Sequence, residues 1–249
     1  MSLSKNKIKY IQSLKDKKHR SISNTFVAEG EKLVNDLLQS CKCQLIAALP
    51  DKIEEIDTSY AEETIIASKD ELRRASHLKT TSPVIGVFYQ PHLDKASIDF
   101  TQGLHLILDG VQDPGNLGTI IRIADWFGIN NIICSNNTVD VFNPKVVQST
   151  MGAIARVNVI YTNLKEFIQK NNQLPIYGTF LEGKNIYKER LEKNGFIIMG
   201  SEGKGISSEL EIMITNKLLI PSFPANQETS ESLNVSVATA IICSEFRRG

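Results

Sequence analysis

Residues 218–248 read LLIPSFPANQETSESLNVSVATAIICSEFRR, and the fold turns on this stretch. Leu218, Leu219 and Ile220 form an apolar run of strand character. Pro221 stops it, because proline cannot donate to a sheet ladder. A polar loop follows to Ser230, Glu231 and Ser232, and from Leu233-Asn234-Val235-Ser236-Val237-Ala238 the pattern becomes apolar and helix-like. Two upstream stretches also place glycine-bearing turns after apolar runs. One is Asp113-Pro114-Gly115-Asn116-Leu117-Gly118, with Arg122 beyond it. The other is Gly200-Ser201-Glu202-Gly203-Lys204-Gly205. Three such loops at strand ends point to one composite site.

Working outward, Leu104–Leu108 is a continuous apolar run, as expected of a strand buried on both faces. Gly118–Phe127 reads as a helix stopped by Gly128. Further strands are expected at 131–134, 157–161, 176–181, 196–199 and 218–220, with helices at 143–154, 164–170, 207–214 and along the C-terminal stretch. This alternation argues a parallel sheet covered on both faces, whose ligands bind beyond the carboxyl ends of the strands. Before it, residues 5–18 read as a basic amphipathic helix with Ile8, Ile11 and Leu14 on one side. Short strands at 25–28, 44–49, 63–67 and 84–89 alternate with helices at 29–39 and 68–75. The fold class is therefore α/β, with a small N-terminal α/β domain at residues 1–95 and a parallel-sheet domain at residues 104–249. Residues 91–103 are the linker.

The length of 249 residues fits one large or two small domains, and 41% hydrophobic with 22% charged residues is an ordinary soluble composition. Lys+Arg and Asp+Glu both number 28, so the chain as a whole is no polycation. Lys5, Lys7, Lys9, Lys15, Lys17, Lys18, His19 and Arg20 nevertheless crowd the N-terminus. That patch is either a solvated helix face or a contact for phosphates. Cys41, Cys43, Cys134 and Cys243 have no zinc spacing, and no apolar core follows the N-terminal charges as in a signal peptide. No run approaches membrane-spanning length. The expectation is a cytoplasmic protein with no membrane segment and no metal.

Several chemistries are disfavoured by their missing signatures. Gly115-Asn116-Leu117-Gly118 lacks the spacing of a dinucleotide loop, and Lys204 is followed by Gly205, not by the Ser or Thr of a phosphate-binding loop. Ser232 and Ser236 lack a nucleophile elbow. The histidines 19, 77, 92 and 105 form no metal pattern.

Taken together, Asn116-x-Gly118-x-x-x-Arg122-x-Ala124, Met199-Gly200-x-Glu202-Gly203-x-Gly205 and Ile220-Pro221…Ser232-Leu233-Asn234-Val235-Ser236-Val237-Ala238 resemble the three motifs of the SpoU, or TrmH-type, RNA ribose methyltransferases of the SPOUT superfamily. The resemblance covers roughly residues 104–249. The first domain resembles, through Phe26-Val27-x-Glu29-Gly30 and Thr81-Ser82-Pro83, the RNA substrate-binding domain often placed before it. The resemblance implies a C-terminal trefoil knot, an S-adenosyl-L-methionine pocket made by the knot loops, and a homodimer in which two subunits complete the active site. It implies cofactor contacts at Gly200, Ile220 and Leu233, helped by Thr179 and Leu181, and a catalytic group of Asn116, Arg122, Glu202, Ser232 and Asn234. The implied reaction is methyl transfer to a ribose 2′-hydroxyl, of ribosomal RNA ahead of transfer RNA.

Lys7, Lys15, Lys18 and Arg20 are the expected RNA contacts, and Trp126, Phe127 and Ile242 the expected apolar surface of the dimer. Gln148 stands where many relatives carry a basic residue, and the loop 222–231 is long and polar. The competing readings are the same chemistry on transfer RNA, and a non-catalytic RNA-binding protein on this fold. A nicotinamide oxidoreductase is a distant third.

Overall fold

The computed structural model describes residues 2–94, 98–224 and 232–248. The first of its two units comprises residues up to Leu93 together with Asp140–Ala155, and the second comprises Asp94–Val139 and Arg156–Gly249. The boundaries expected at 1–95 and 104–249 differ from this in one segment, residues 140–155, which belongs with the first unit.

The first unit opens with α1 (Lys5–Ser13) and α2 (Lys17–Ser23), not one helix through residue 18. The break has a local cause. A helix end leaves carbonyls without partners, and here the Arg20 guanidinium turns inward to donate to Leu14 O at 2.8 Å and Lys15 O at 2.7 Å. Then come β1 (Thr25–Glu29), α3 (Glu31–Leu38), β2 (Cys43–Ala48), α4 (Pro50–Ile53), β3 (Ala61–Ile66), α5 (Lys69–Ala75) and β4 (Val84–Tyr89). The sheet order is β1-β4-β2-β3, with β2 and β3 parallel and the other pairs antiparallel. Ser68 caps α5 through a reciprocal box with Glu71, as its sequence position predicts. Ile8, Ile11 and Leu14 pack with Leu45, Ile65, Leu72, Ile85 and Val87 to form the core under one sheet face.

The second unit runs β5 (Leu104–Asp109), α6 (Pro114–Trp126) and β6 (Asn131–Cys134). The chain then contributes α7 (Pro144–Thr150) to the first unit. It returns as β7 (Asn158–Tyr161), α8 (Leu164–Lys170), β8 (Ile176–Asn185), β9 (Gly195–Gly200), α9 (Ser208–Glu211), β10 (Asn216–Leu219) and α10 (Val235–Arg247). The six-stranded sheet is parallel throughout, in the order β10-β8-β9-β5-β6-β7. Its central strands are buried along most of their length because helices cover both faces. α6 and α10 pack against each other.

Two helix limits differ from the sequence pattern. α6 starts at Pro114, not Gly118, because Asp113 caps it and a proline at the first helical position loses no hydrogen bond. The helix expected over 143–154 ends at Thr150, where Met151 and Gly152 adopt φ of 50° and 92°. A Cβ on Gly152 would lie 2.4 Å from an Asp36 carboxylate oxygen, so glycine is required at this close approach. No helix among the described residues is long and apolar enough to cross a membrane. Residues 225–231 of the long polar loop lie outside the described residues.

Candidate active site

The register of the sheet builds a gap at its carboxyl end. Lys217 of β10, Gly178 of β8, Ile198 of β9 and Ile107 of β5 lie in one row. Beyond that row β8 leaves the sheet. Residues 179–183 form an excursion, and pairing with β10 resumes at Lys184 opposite Leu218 and Asn185 opposite Leu219. The pairing of β8 with β9 ends at Ile198, whereas Met199 and Gly200 remain paired with Leu108 and Asp109 on their other side. β9 therefore has one side without a strand at Met199 and Gly200. Gly183 allows the return, since a Cβ there would sit 2.9 Å from Lys217 O.

Four of the expected cofactor residues, Thr179, Leu181, Gly200 and Ile220, lie in or at the ends of these strands. Thr179 begins the excursion and its hydroxyl faces the Met199 sulfur at 3.9 Å. Leu181, at its middle, is 74% exposed. Gly200 ends β9, and Ile220 follows the last residue of β10. Leu233, half-exposed, directly precedes the N-cap of α10. A cavity of about 720 Å³ lies elsewhere in this unit, lined by Arg190, Lys193 and Phe246 among others.

The loop after β9 folds tightly back. Ser201 and Gly205 exchange two backbone hydrogen bonds, of 3.1 and 2.8 Å, and Gly205 has φ of 65°. A Cβ on Gly200 would lie 2.1 Å from the Gly205 carbonyl carbon, so no larger residue fits under the turn. This turn carries Glu202 to the side chain of Asn116, whose amide nitrogen donates to Glu202 Oε1.

Asn116 is also fixed by its backbone, which donates to Asp113 Oδ1 at 2.9 Å in the first turn of α6. Its side-chain oxygen accepts from Asn234 Nδ2 at 3.0 Å. Asn234 is the N-cap of α10, and its own oxygen accepts from Ser236 N at 3.0 Å and Val237 N at 3.3 Å. Three residues from three distant motifs thus form one hydrogen-bonded line, Glu202–Asn116–Asn234, at the open end of the parallel sheet. It joins the N-termini of two helices, whose dipoles favour an anion.

The other two expected catalytic residues stand apart from that line. Ser232 is exposed, two residues before the cap. Arg122 is exposed on α6 and has no hydrogen-bond or ion-pair partner among the described residues. Six positions beyond Asn116, it points about 120° away around the helix and lies about 9 Å further along it. Gly115, Thr119, Arg122 and Trp126 fall on one helical stripe, and Trp126 is 85% exposed.

Of the expected RNA contacts, Lys15 and Lys18 are exposed, and Lys7 is paired with Glu63. Arg20 is different. It is 2% exposed and bonded to Asp140 at 2.5 Å, so its charge serves the interior of the first unit rather than a phosphate. The sequence put it in a basic run, and nothing in that run marks one member as buried. Ile242, expected on an exposed apolar face, is fully buried on the inner side of α10. Cys243 beside it is a structural thiol, its pKa pushed up to about 12 by burial. Asp113, which opens the quoted stretch 113–118, has a capping role not assigned to it from sequence. Its signal was an aspartate directly before a proline at a helix start. No group of three or more His, Cys, Asp or Glu among the described residues is placed to hold a metal ion.

The chain is similar to known proteins in both of its units. Residues 103–244 match the model of the SpoU rRNA Methylase family, and residues 5–86 match an MRM3-like substrate binding domain. The chain is 31% identical over 245 residues to the 23S rRNA (guanosine(2553)-2'-O)-methyltransferase RlmP of Bacillus subtilis, covering 97% of this chain and 96% of that protein. A putative RNA methyltransferase of the TrmH family from Porphyromonas gingivalis superposes with a TM-score of 0.87 at 39% identity, over 99% of this chain and 98% of that one. An AdoMet-bound rRNA methyltransferase from Sinorhizobium meliloti gives 0.88 at 29%, over 100% and 96%.

Proposed function

Because the chain belongs to the SpoU rRNA methylase family, we propose that the Glu202–Asn116–Asn234 line is the catalytic centre of an S-adenosylmethionine-dependent ribose 2′-O-methyltransferase acting on ribosomal RNA. The observation that carries this reading is the convergence of the three motifs at one end of the parallel sheet. The residues fit the cofactor. β9 offers backbone without a strand partner at Met199 and Gly200, and Leu181 in the excursion and Leu233 before the α10 cap are exposed apolar side chains. Gly200, Ile220 and Leu233 would hold it largely through backbone groups, with Thr179 and Leu181 at the rim. S-adenosylmethionine supplies the electrophilic methyl group.

The protein's own task is to position the 2′-hydroxyl in line and to manage its proton and developing charge. Glu202 Oε1 is engaged by Asn116, which leaves Oε2 to accept from a ribose hydroxyl. Asn116, Ser232 and Asn234 orient the ribose through hydrogen bonds. Arg122 keeps its proton at any ordinary pH, so it acts as a cation on the adjacent phosphate and on the developing oxyanion. Its direction on α6, away from Asn116 of the same chain, supports a site shared between two copies, with Arg122 serving the partner. Exposed Trp126 on the same stripe supports burial of that helix face in a homodimer. The return of the chain from edge strand β10 to pack α10 on α6 is consistent with the family's trefoil knot. Lys15 and Lys18 remain the candidate phosphate contacts of the first unit.

The test is transfer of labelled methyl from S-adenosylmethionine to unmodified ribosomal RNA and, in parallel, to transfer RNA. Incorporation into ribosomal RNA alone is expected. Incorporation into transfer RNA alone would transfer the reading to the other substrate. Binding of RNA with no transfer would leave a non-catalytic binding protein.

A further inference from the structure

Asp109 ends β5, one strand away from the excursion of β8, and belongs to none of the three motifs. It grips the Glu202 loop at both ends. Its backbone lies in register with Gly200, where the loop begins. Its carboxylate oxygen Oδ2 accepts from the backbone N–H of Ser207, where the loop ends, at 2.8 Å. Between those two anchors lie only Ser201–Ile206, closed on themselves by the Ser201–Gly205 pair. Glu202 rides on this closed turn and meets Asn116 from there.

The support under Asp109 is itself built. Gly110, the next residue, has φ of 73° and donates to Ser135 Oγ at 2.9 Å. Ser135 Oγ is within 2.9 Å of Thr138 Oγ1, and Thr138 Oγ1 lies 3.3 Å from Leu108 O. The end of β5 is thus held from the β6 side while its last side chain holds the loop from the β9 side. The Ser207 hydroxyl takes no part. Its oxygen is buried with no partner among the described residues, so the anchor is the backbone N–H alone.

We propose that Asp109 is a positioning residue for methyl transfer, acting through the 200–207 loop to set Glu202 against Asn116 and Gly200 against the cofactor. This rests on the catalytic reading of Glu202 given above. What the role requires is an acceptor oxygen at this point, not a negative charge. Asn offers the same oxygen in the same shape, whereas Ala offers none.

The experiment uses the full chain and the variants Asp109→Asn, Asp109→Ala, Ser207→Ala, Glu202→Gln and Asp109→Ala/Glu202→Gln. Backbone hydrogen exchange over residues 201–207, calorimetric S-adenosylmethionine affinity, thermal unfolding and single-turnover transfer are measured for each. Asp109→Ala is expected to lose exchange protection in the loop and to weaken cofactor affinity and turnover by about tenfold, the usual cost of leaving a backbone N–H without its acceptor. Asp109→Asn and Ser207→Ala are expected to match the parent. At saturating cofactor the double variant is expected to transfer no more slowly than Glu202→Gln alone, because there Asp109 acts through Glu202. An Asn variant as poor as Ala, multiplicative losses in the double variant, or unchanged loop protection in Asp109→Ala would each overturn the proposal. Absence of transfer by the parent would refute the catalytic reading instead, and the exchange and affinity data would still decide whether Asp109 anchors the loop.

Discussion

Asn234, the N-cap of the C-terminal helix, donates its side-chain amide to the Asn116 side-chain carbonyl at 3.0 Å across 118 positions of sequence. The same Asn234 oxygen that caps α10 leaves its nitrogen free for this contact. One residue therefore performs two separable tasks, and substitution can part them. Asn234→Asp keeps the capping oxygen and loses the donor, so thermal stability should hold while turnover falls by about 10²-fold, the usual cost of one transition-state donor. Asn234→Ala loses both, and should also cost about 1 kcal/mol of stability. Thermal unfolding beside single-turnover transfer checks the pair.

Arg122 lies on an exposed stripe and has no hydrogen-bond or ion-pair partner among the described residues. Arg122→Ala should leave cofactor affinity in place and lower turnover by about 10²–10³-fold. Arg122→Lys should recover only part, because an ammonium lacks the planar fork. If the site is shared, mixing Arg122→Ala with Asn234→Ala should restore roughly a quarter of parental activity, since about half of randomly mixed dimers hold one intact site of two. Calorimetry and transfer assays on the mixture report both, and no recovery would assign Arg122 to its own chain's site.

Arg20 behaves as part of a core. Arg20→Ala leaves Asp140 and the carbonyls of Leu14 and Lys15 without their partner, which should cost about 3–5 kcal/mol. Lys15→Ala/Lys18→Ala should leave stability unchanged and flatten the salt dependence of RNA binding. Deletion of the first 93 residues should also be harsher than removal of a free-standing domain. Phe142, in the segment 140–155, packs its ring 4.9 Å from that of Phe26 and would lose this cover. Denaturant unfolding and filter binding at several salt concentrations separate these effects.

His105 is 3% exposed, set between Phe100 and Phe196, and its Nδ1 lies 3.3 Å from Asn131 Nδ2. Burial holds its pKa below the usual 6.5. The folded state thus binds its proton less readily than the unfolded chain. Above pH 6.5 the group costs nothing, and stability falls as pH drops below 6.5 toward the lower folded value. His105→Leu should remove that part of the acid slope, which unfolding midpoints measured from pH 7 to pH 5 would reveal.

The alternation of Leu104–Leu108, Ile120–Ala124 and Asn131–Cys134 made the parallel sheet legible from sequence, because buried parallel strands are apolar on both faces. Asn116, Glu202 and Asn234 were legible because each sits beside a glycine turn or a helix start with a fixed spacing. Arg20 and Ile242 were not. Whether a cation in a basic run or an isoleucine in an apolar helix faces inward depends on distant partners, here Asp140 and the helix packed on α10. The excursion at 179–183 was equally hidden, since only the register against β10 reveals it.

The central claim is that methyl is placed on a ribose oxygen, and the chemical stability of the product tests it most directly. Ribosomal RNA labelled by the full chain with methyl-tritiated S-adenosylmethionine is hydrolysed in alkali, which needs a free 2′-hydroxyl to cleave. The account predicts that the label is recovered in alkali-stable dinucleotides, and that Glu202→Gln and Arg122→Ala incorporate it far more slowly. Label recovered in mononucleotides would mean methylation of a base and would contradict the account.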